Sequence, residues 1–343
     1  MRAIGVDVGT GFIACAEKEE DKRVYRKIRD AFFKVDTSKF LTGSAAGFGE
    51  EMLKKSGANY LKVEGEIFIL GDDAFKFANT FHQECMRPMS QGILNPRQQI
   101  SGMMVGELIR ALTGEPKGSD DVLYYCVPAE PLDADFDVEY HQELLRGIFS
   151  DLGYGTVEVM TEGLAVVYSE LVADQYTGIG ISFGAGMCNV AYVNLGMPVL
   201  AFSVARGGDW IDSHAAKHTE ETANVVSSVK EEMESLDQRD NQIQHAVSIY
   251  YDALMRYVVE QFNLLYERTS NKDLPNLSDI PLVVSGGTSL IGGFSDRFQA
   301  IMKEGGFPVK VSRVERAKEP LFAVANGLFE AAEISALKGE PDE

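Results

Sequence analysis

The N-terminal stretch of the chain carries residue types suited to phosphate chemistry. Asp7 stands two residues before the turn Gly9-Thr10-Gly11, and apolar residues alternate on both sides of the turn, which predicts a β-hairpin. Because glycine has no Cβ, the backbone N–H groups of such a turn can approach an anion closely. A carboxylate tolerates a facing phosphate only when a cation lies between them. The stretch therefore predicts a phosphate loop with a metal-orienting acid; the alternative is an ordinary hairpin turn.

A second stretch repeats this layout in the other half of the chain. Residues 179–193 (IGISFGAGMCNVAYV) contain an alternating strand, the turn Gly184-Ala185-Gly186 and a returning strand. When the two stretches are aligned on their glycines, Ser182 takes the place of Asp7. Two such hairpins predict a duplicated architecture whose halves bind one phosphate tail from both sides.

Composition restricts the possible classes of partner. The chain has 343 residues, 45% of them hydrophobic, which is enough for two domains with a large core. The formal net charge of −20 disfavours nucleic acid and anionic lipid surfaces, because like charges repel. No apolar run reaches the roughly 18 residues of a membrane helix, and the chain opens with a strand, so we expect a cytoplasmic protein without a signal peptide. The sequence does not support membrane contact. The alternative is contact through an internal hydrophobic loop, for example near residues 101–105.

The four cysteines do not follow a metal-binding pattern. Cys15, Cys85, Cys126 and Cys188 are scattered along the chain, without CxxC spacing and without paired histidines. Cys15 and Cys188 fall on predicted strands, where cysteine packs as a small apolar residue. We therefore expect reduced thiols and no zinc site.

Strands alternate with helices in both halves of the sequence, which predicts an α/β protein with two similar lobes. Apolar residues at helical spacing predict helices at 98–112, 139–152, 243–268, 290–303 and 320–337. Short apolar or alternating runs predict strands at 122–127, 155–160, 198–203, 281–285 and 309–311. Two prolines bracket the segment MSQGILN, which we expect to be a loop.

Taken together, these motifs resemble those of the actin-like ATPases, and most closely those of the bacterial and archaeal actins related to MreB. The motifs are VDVGTG, ISFGAGMCNV, TEGLAVVY, ARGGDWID, VVSGGTSLIGGF and EPLFAVANG, in that order. ILGDDAF followed by MRPMSQGIL is also similar to the MreB pattern. The resemblance runs nearly end to end. It implies a two-lobed actin-like fold, a duplicated ribonuclease H-like architecture with nucleotide in the cleft between the lobes.

The resemblance also implies how the chain is divided and what it does. Lobe I would cover residues 1–158 with a smaller subdomain at about 33–95, and lobe II residues 159–319 with a smaller subdomain at about 208–279. A C-terminal helix at about 320–343 would return to lobe I. The implied ligands are a purine nucleotide, ATP or GTP, and Mg²⁺. The implied function is slow hydrolysis coupled to polymerisation with copies of the same chain into cytoskeletal filaments.

Roles for individual residues follow from the matching motifs. Asp7 would orient hydrated Mg²⁺, and the turn Gly9-Thr10-Gly11 would cradle the β- and γ-phosphates. Glu162 would position the attacking water; the alternative is a helix N-terminal acid. Lys230 and Glu231 would contact ribose or base, with a solvated helix face as the alternative. The other implied nucleotide contacts are Gly184, Ala185, Gly186, Gly207, Gly208, Asp209, Gly286, Gly287 and Thr288.

One position departs from the family pattern. The second phosphate motif of the family begins with aspartate and has threonine after its glycines, whereas this chain has Ser182 and Met187. Serine can hydrogen-bond a water molecule or a phosphate but brings no negative charge to the metal's surroundings. We therefore count Ser182 with Asp7 and Glu162 as a catalytic position and expect nucleotide binding to be retained and hydrolysis to be slow.

Two alternatives to a filament protein stay open at this stage. The first is a nucleotide-dependent switch of the same fold that binds a partner without polymerising. The second is a small-molecule kinase, which is disfavoured because no additional acid is placed as a base for a phosphoryl acceptor.

Overall fold

The structure is a computed structural model that describes residues 2–35, 51, 53–80, 83, 85–95, 100–118, 120–269, 277 and 279–338. The predicted helical residues 98, 99 and 339–343 lie outside the described residues.

The strands and helices of the described residues alternate along the chain. The strands are β1 (Ala3–Val8), β2 (Phe12–Glu19), β3 (Lys22–Arg29), β4 (Phe32–Val35), β5 (Tyr60–Val63), β6 (Glu66–Leu70), β7 (Met89–Ser90), β8 (Ile93–Leu94), β9 (Val122–Val127), β10 (Thr156–Thr161), β11 (Gly178–Phe183), β12 (Cys188–Asn194), β13 (Met197–Val204), β14 (Ile280–Ser285) and β15 (Val311–Arg316). The α-helices are α1 (Gly71–Thr80), α2 (Ser101–Thr113), α3 (Val138–Asp151), α4 (Glu162–Glu170), α5 (Gly208–Thr219), α6 (Ala223–Glu232), α7 (Gln242–Arg268), α8 (Phe294–Glu304) and α9 (Ala323–Lys338). A 3₁₀-helix covers Gly287–Leu290.

Two five-stranded sheets have the same topology, which confirms the predicted duplication. One has the strand order β3-β2-β1-β9-β10 and the other β13-β12-β11-β14-β15. In each sheet three antiparallel strands are followed by two parallel strands. Parallel neighbours require crossover connections, and in both sheets helices provide them. The chain therefore has a mixed α/β fold with two similar lobes.

The two glycine-rich hairpins occupy equivalent places in the two sheets. Asp7 pairs with Ala14 across the first hairpin, and Ser182 pairs with Asn189 across the second. In each hairpin the first member of the pair lies two residues before the first glycine of the turn, and the second member lies three residues after the last glycine. The register therefore makes Asp7 and Ser182 structurally equivalent, as the sequence alignment predicted.

Helices α4 and α9 pack against each other between the two sheets. Helix α9 lies on β1 and β9 of the first sheet, and α4 lies on β11 and β12 of the second. Their apolar side chains form one buried cluster that includes Ala165, Val166, Val324 and Leu328. Each helix follows the last strand of one sheet and packs on the other sheet, so this pair is the main connection between the lobes.

A separate three-stranded sheet, β4-β6-β5, packs against α1, whereas α5, α6 and α7 share the apolar core of the second five-stranded sheet. The described helices include none that is long and apolar enough to cross a membrane.

Several predicted elements differ from the observed ones. The MSQGILN segment contains the short hairpin β7–β8, whose turn residues Gln91 and Gly92 both have positive φ, as in a two-residue hairpin turn. The helix predicted from residue 290 begins at Phe294, because a 3₁₀-helix and two glycines precede it. The strand predicted at 309–311 runs over Val311–Arg316, where polar residues conceal its periodicity.

Candidate functional site

The two glycine-rich turns touch each other at a cleft between the lobes. A Cβ added to Gly11 would lie 2.9 Å from the Ala185 Cβ, and one added to Gly186 would overlap the Thr10 hydroxyl. Glycine at these two positions therefore allows direct contact between the turns. Both turns line a cavity of about 430 Å³, which is within the size range of small-molecule sites.

Nearly all the site residues predicted from the sequence line this cavity. They are Asp7, Gly9, Thr10, Gly11, Glu162, Ser182, Gly184, Ala185, Gly186, Gly208, Asp209, Lys230, Glu231, Gly286, Gly287 and Thr288. Gly207 is not among the lining residues. It lies behind the second turn, where an added Cβ would come within 2.6 Å of the Gly184 carbonyl oxygen.

Two half-buried carboxylates form the polar centre of the cavity. Asp7 is near the end of β1, and Glu162 is the first residue of α4. Burial and, after it, the charge of Asp7 raise the pKa of Glu162. Burial also raises the pKa of Asp7, while a hydrogen bond donated by the Cys126 thiol to Asp7 Oδ1 at 3.2 Å opposes the rise. Two carboxylates that repel each other in a buried site are stabilised by a cation placed between them.

The donor chemistry of this pair fits a magnesium ion that is held jointly with a ligand. Mg²⁺ takes six oxygens, and proteins usually supply one or two carboxylates while phosphates and waters supply the rest. Asp7 and Glu162 provide such carboxylates. Within the described residues, no group of three or more His, Cys, Asp or Glu side chains could hold a metal by itself.

Ser182 and Asn189 face the Glu162 carboxylate from the second sheet, and both lower its pKa. Both side chains are buried, and the Asn189 Oδ1 accepts a hydrogen bond from the Ala129 N–H at 3.1 Å. Sequence reasoning missed Asn189. One feature of the sequence could have identified Asn189: it is a single polar amide within the apolar run CNVAYV, at the position equivalent to Ala14 of the first hairpin.

Backbone and hydroxyl groups hold the second turn in place. The N–H groups of Gly208 and Asp209 donate to the carbonyl oxygens of Gly184 and Ala185 at 3.0 and 2.8 Å. The Thr288 hydroxyl donates to the Gly184 carbonyl oxygen at 2.9 Å. These groups were predicted to contact the nucleoside, and in the structure their polar atoms position the turn.

Two arginines of the first lobe make ion pairs across the cavity, which we call the cross-cleft pairs. Arg87 Nη1 lies 2.8 Å from both carboxylate oxygens of Asp209. Arg29 donates to both carboxylate oxygens of Glu231 at 3.2 Å and to Asp72 Oδ1 at 3.0 Å. Asp209 and Glu231 were predicted as ribose or base contacts. Sequence reasoning missed their arginine partners, which are 122 and 202 residues away along the chain.

Lys230 is also paired within the site. Its ammonium lies 2.7 Å from Asp212 and donates to the Gly208 carbonyl oxygen at 3.0 Å. These contacts join α6 to the start of α5. The role of Lys230 as a nucleotide contact stays a prediction.

The β7–β8 hairpin inserts against both glycine-rich turns. The Gly92 N–H donates to the Thr10 hydroxyl at 2.9 Å, and a Cβ added to Gly92 would overlap the Met187 sulfur. Behind the hairpin, His141 Nδ1 accepts from the Leu94 N–H at 3.2 Å. Burial lowers the pKa of His141 to about 4, so this acceptor is neutral at physiological pH. The sequence predicted only a loop here, because two-residue strands have no readable periodicity.

The repeated sheets, the crossing helices and the paired turns define a two-lobed actin-like fold, as the sequence resemblance predicted. MamK in a double-helical filament is 18% identical with a TM-score of 0.69, over 96% of this chain and 98% of MamK. MreB5 of Spiroplasma citri bound to ADP is 14% identical with a TM-score of 0.67, over 98% of both chains. The ethanolamine utilization protein EutJ from Carboxydothermus hydrogenoformans is 14% identical with a TM-score of 0.53, over 96% of this chain and 90% of EutJ.

The family model Volactin matches residues 1–332, and the chain belongs to the Volactin family. A comparison with curated proteins gives no significant match.

Proposed function

We propose that the protein is a cytoplasmic, filament-forming actin homologue that binds ATP or GTP with Mg²⁺ in the cleft and hydrolyses it slowly. The observation that carries the proposal is the direct contact of two equivalent glycine-rich turns, one from each lobe, beside the half-buried Asp7–Glu162 pair. The structural similarity to an ADP-bound MreB5 supports a nucleotide ligand, and the similarity to MamK in a filament supports assembly into filaments.

In this proposal the phosphates lie at the two turns and the nucleoside lies along the second lobe. The Gly184 N–H donates to the Met187 carbonyl oxygen at 2.9 Å, so the phosphate donors proposed here are the N–H groups of Gly9-Thr10-Gly11 and of Ala185-Gly186, which no bulky side chain shields. Gly286 and Gly287 form the floor beneath the nucleoside, and the adjacent cavity wall contains the apolar side chains of Leu290, Ile291 and Leu321. An apolar wall with few polar groups suits a purine base.

Hydrolysis is assigned to Glu162. Its carboxylate orients a water molecule for in-line attack on the terminal phosphate, which is the positioning that phosphoryl transfer requires. Mg²⁺ bound beside Asp7 supplies positive charge to the phosphate oxygens. Burial and the charge of Asp7 raise the pKa of Glu162 to about 8, while hydrogen bonds from Ser182 and Asn189 oppose the rise, so before a cation binds the carboxyl is mostly protonated at neutral pH. This balance supports slow turnover.

The proposed switch couples the ligand to the relative position of the lobes. We divide the chain into lobe I (residues 1–158 with the C-terminal helix) and lobe II (residues 159–319). A triphosphate that binds both turns stabilises the closed arrangement, and loss of the terminal phosphate weakens that stabilisation. Subunits in the closed state present complementary faces to the next copy, a heterologous contact that extends into a filament.

Sedimentation and electron microscopy test the proposal. Purified protein is incubated with MgATP, MgGTP, MgADP or no nucleotide, and we expect sedimenting filaments with one of the triphosphates. Glu162→Gln should retain nucleotide affinity and filaments but lose phosphate release by roughly two orders of magnitude or more. Nucleotide binding without filaments would support the non-polymerising switch, and the absence of nucleotide binding would remove the proposal.

A further inference from the structure

The cations that line the cavity differ in whether a carboxylate neutralises them. Among the described lining residues are six carboxylates and four cations. Arg29, Arg87 and Lys230 are all in ion pairs. Lys27 makes no ion pair within the part of the chain that the structure describes, and its Nζ lies 4.3 Å from the centre of the Phe12 ring.

The sheet register places Lys27 in line with the phosphate-binding end of the first hairpin. Asp7 is opposite Ala14, and Ala14 is opposite Lys27. Opposed residues project from the same face of a sheet, so these three side chains form one row across adjacent strands. Phe12, which lies beneath the ammonium, directly follows Gly11 of the turn. The aromatic face holds the ammonium at the cavity without neutralising its charge.

We propose that Lys27 is an anion-binding residue of the cleft and that its ammonium contacts the β- or γ-phosphate oxygens of the bound nucleotide. The inference rests on the proposed function and adds a residue outside the family motifs. A triphosphate carries more negative charge than one Mg²⁺ neutralises, and the cavity lining already has more carboxylates than cations. Lys27 is the lining cation whose charge is available for the difference.

A basic side chain on β3 also has a simpler explanation. β3 is the edge strand of its sheet, and charged residues on edge strands prevent pairing with other chains. Lys22 lies on the same strand and is exposed like Lys27, but it does not line the cavity. Under this explanation, loss of charge at either lysine has the same small effect.

Matched variants separate the two explanations. Lys27→Met keeps the aliphatic stem over Phe12 and removes the charge, Lys27→Arg keeps the charge, and Lys22→Met is the control. Affinities for MgATP, MgADP and adenosine, and for the guanine counterparts, are measured by calorimetry at protein concentrations where light scattering detects no assembly. We expect Lys27→Met to weaken triphosphate binding roughly 10- to 100-fold. Nucleoside affinity should change less than about twofold, Lys27→Arg should retain most of the affinity, and Lys22→Met should behave as wild type.

The outcomes distinguish this inference from the proposed function. If wild type binds triphosphate and Lys27→Met binds it equally well, Lys27 has no phosphate contact and the proposed function stands. An equal loss for nucleoside and triphosphate would assign Lys27 a structural role and overturn the inference. If wild type binds no nucleotide, both proposals fail. Circular dichroism of each variant establishes that it is folded, and Lys27→Arg provides the second measurement if Lys27→Met is not.

Discussion

Ser182 occupies the position where related motifs carry aspartate, and its surroundings are already rich in carboxylates. Its side chain is buried and faces Glu162, whose pKa is raised by burial and by Asp7. A third carboxylate here would add repulsion in the empty cleft. With Mg²⁺ and nucleotide bound, the same carboxylate would accept hydrogen bonds from metal-bound water and hold the ion more rigidly.

We expect Ser182→Asp to accelerate hydrolysis. The added carboxylate should order the metal and the attacking water and raise the rate of phosphate release roughly tenfold, the usual size of such outer-shell effects. Phosphate release from saturating MgATP or MgGTP measures this rate. Ser182→Asn is the control, because it has nearly the same shape as aspartate without the charge. A wild-type rate equal to or above that of Ser182→Asp would contradict the explanation.

Asp30 is a buried carboxylate outside the predicted site. It lies immediately after β3, and its Oδ2 accepts a hydrogen bond from the Met89 N–H at 2.9 Å. Within the described residues its Oδ1 has no hydrogen-bond partner. Burial raises the pKa of Asp30 to about 8, while Met89 and the charge of Arg87 oppose the rise. The folded protein therefore keeps a proton on Asp30 that the unfolded chain releases above about pH 4.

This difference predicts a pH-dependent effect of Asp30→Asn. Between about pH 4 and pH 8 the folded state binds more protons than the unfolded state, so wild-type stability falls as pH rises. Asparagine removes that dependence. Urea denaturation should show similar midpoints at pH 4, where both states keep the proton, and a more stable Asp30→Asn at pH 8, by a few kcal/mol. The exposed Asp21→Asn is the control, and a difference that is constant with pH would show that Asp30 is ionised in the fold.

The chemistry of single residues was predictable only where a local motif carries it. Asp7 and Glu162 stand beside glycine-rich or helix-start motifs that identify them from sequence. Arg29 and Arg87 have no such context, because their carboxylate partners come from the other lobe. Their pairing depends on the closed tertiary arrangement, which no local pattern encodes.

At the scale of elements, the β7–β8 hairpin contacts both glycine-rich turns. Its turn donates to Thr10, touches Met187 and is fixed from behind by His141. A structural change at either glycine-rich turn must therefore move this hairpin or break its contacts. The position of the hairpin thus depends on the positions of both turns.

Gly92→Ala tests this role. Gly92 has a φ of +77°, and an added Cβ would overlap Met187, so alanine should displace the hairpin from the second turn. Gly65→Ala is the matched control, because Gly65 has a φ of +86° with nothing within 4 Å of an added Cβ. Both variants should lose about 1 kcal/mol of stability from backbone strain, but only Gly92→Ala should lose nucleotide affinity, by roughly tenfold or more. Equal affinities would show that the contact with Met187 is unimportant.

Helices and strands were predicted correctly where apolar residues recur at a regular spacing in the sequence. The long helix α7 has apolar residues on one face over many turns, and the predicted and observed bounds differ by one residue at its start. β7 and β8 have two residues each, and β15 alternates mostly among exposed polar residues, so neither shows a clear pattern. The crossing of α4 and α9 was not predicted from residues, because it depends on packing between distant helices.

At the scale of the whole molecule, the duplication was visible in the sequence because two similar hairpins recur in the two halves. The sheets confirm it with identical strand order. The meeting of the two hairpins was predicted from their repetition, whereas the cross-cleft pairs were not, since they join side chains distant in sequence. The formal net charge of −20 can also be read directly from the sequence.

This charge predicts a salt dependence of assembly. Copies that each carry a large negative charge repel over about 30 Å at 0.01 M salt and over about 8 Å at 0.15 M. We therefore expect the critical concentration for filament formation to fall as KCl rises between these values at fixed Mg²⁺ and nucleotide. Sedimentation over a protein dilution series measures it. A critical concentration that rises with salt would show that ion pairs, not net repulsion, dominate the contact between copies.

The cross-cleft pairs have a consequence for timing. A ligand in the cavity lies beside Arg29–Glu231 and Arg87–Asp209, and any separation of the lobes at this point breaks both pairs. In the proposed function, these two ion pairs therefore add to the phosphate contacts and lengthen the residence time of spent nucleotide. Each subunit would then remain longer in its post-hydrolysis form, and a partner that binds either arginine would shorten that interval and speed nucleotide exchange.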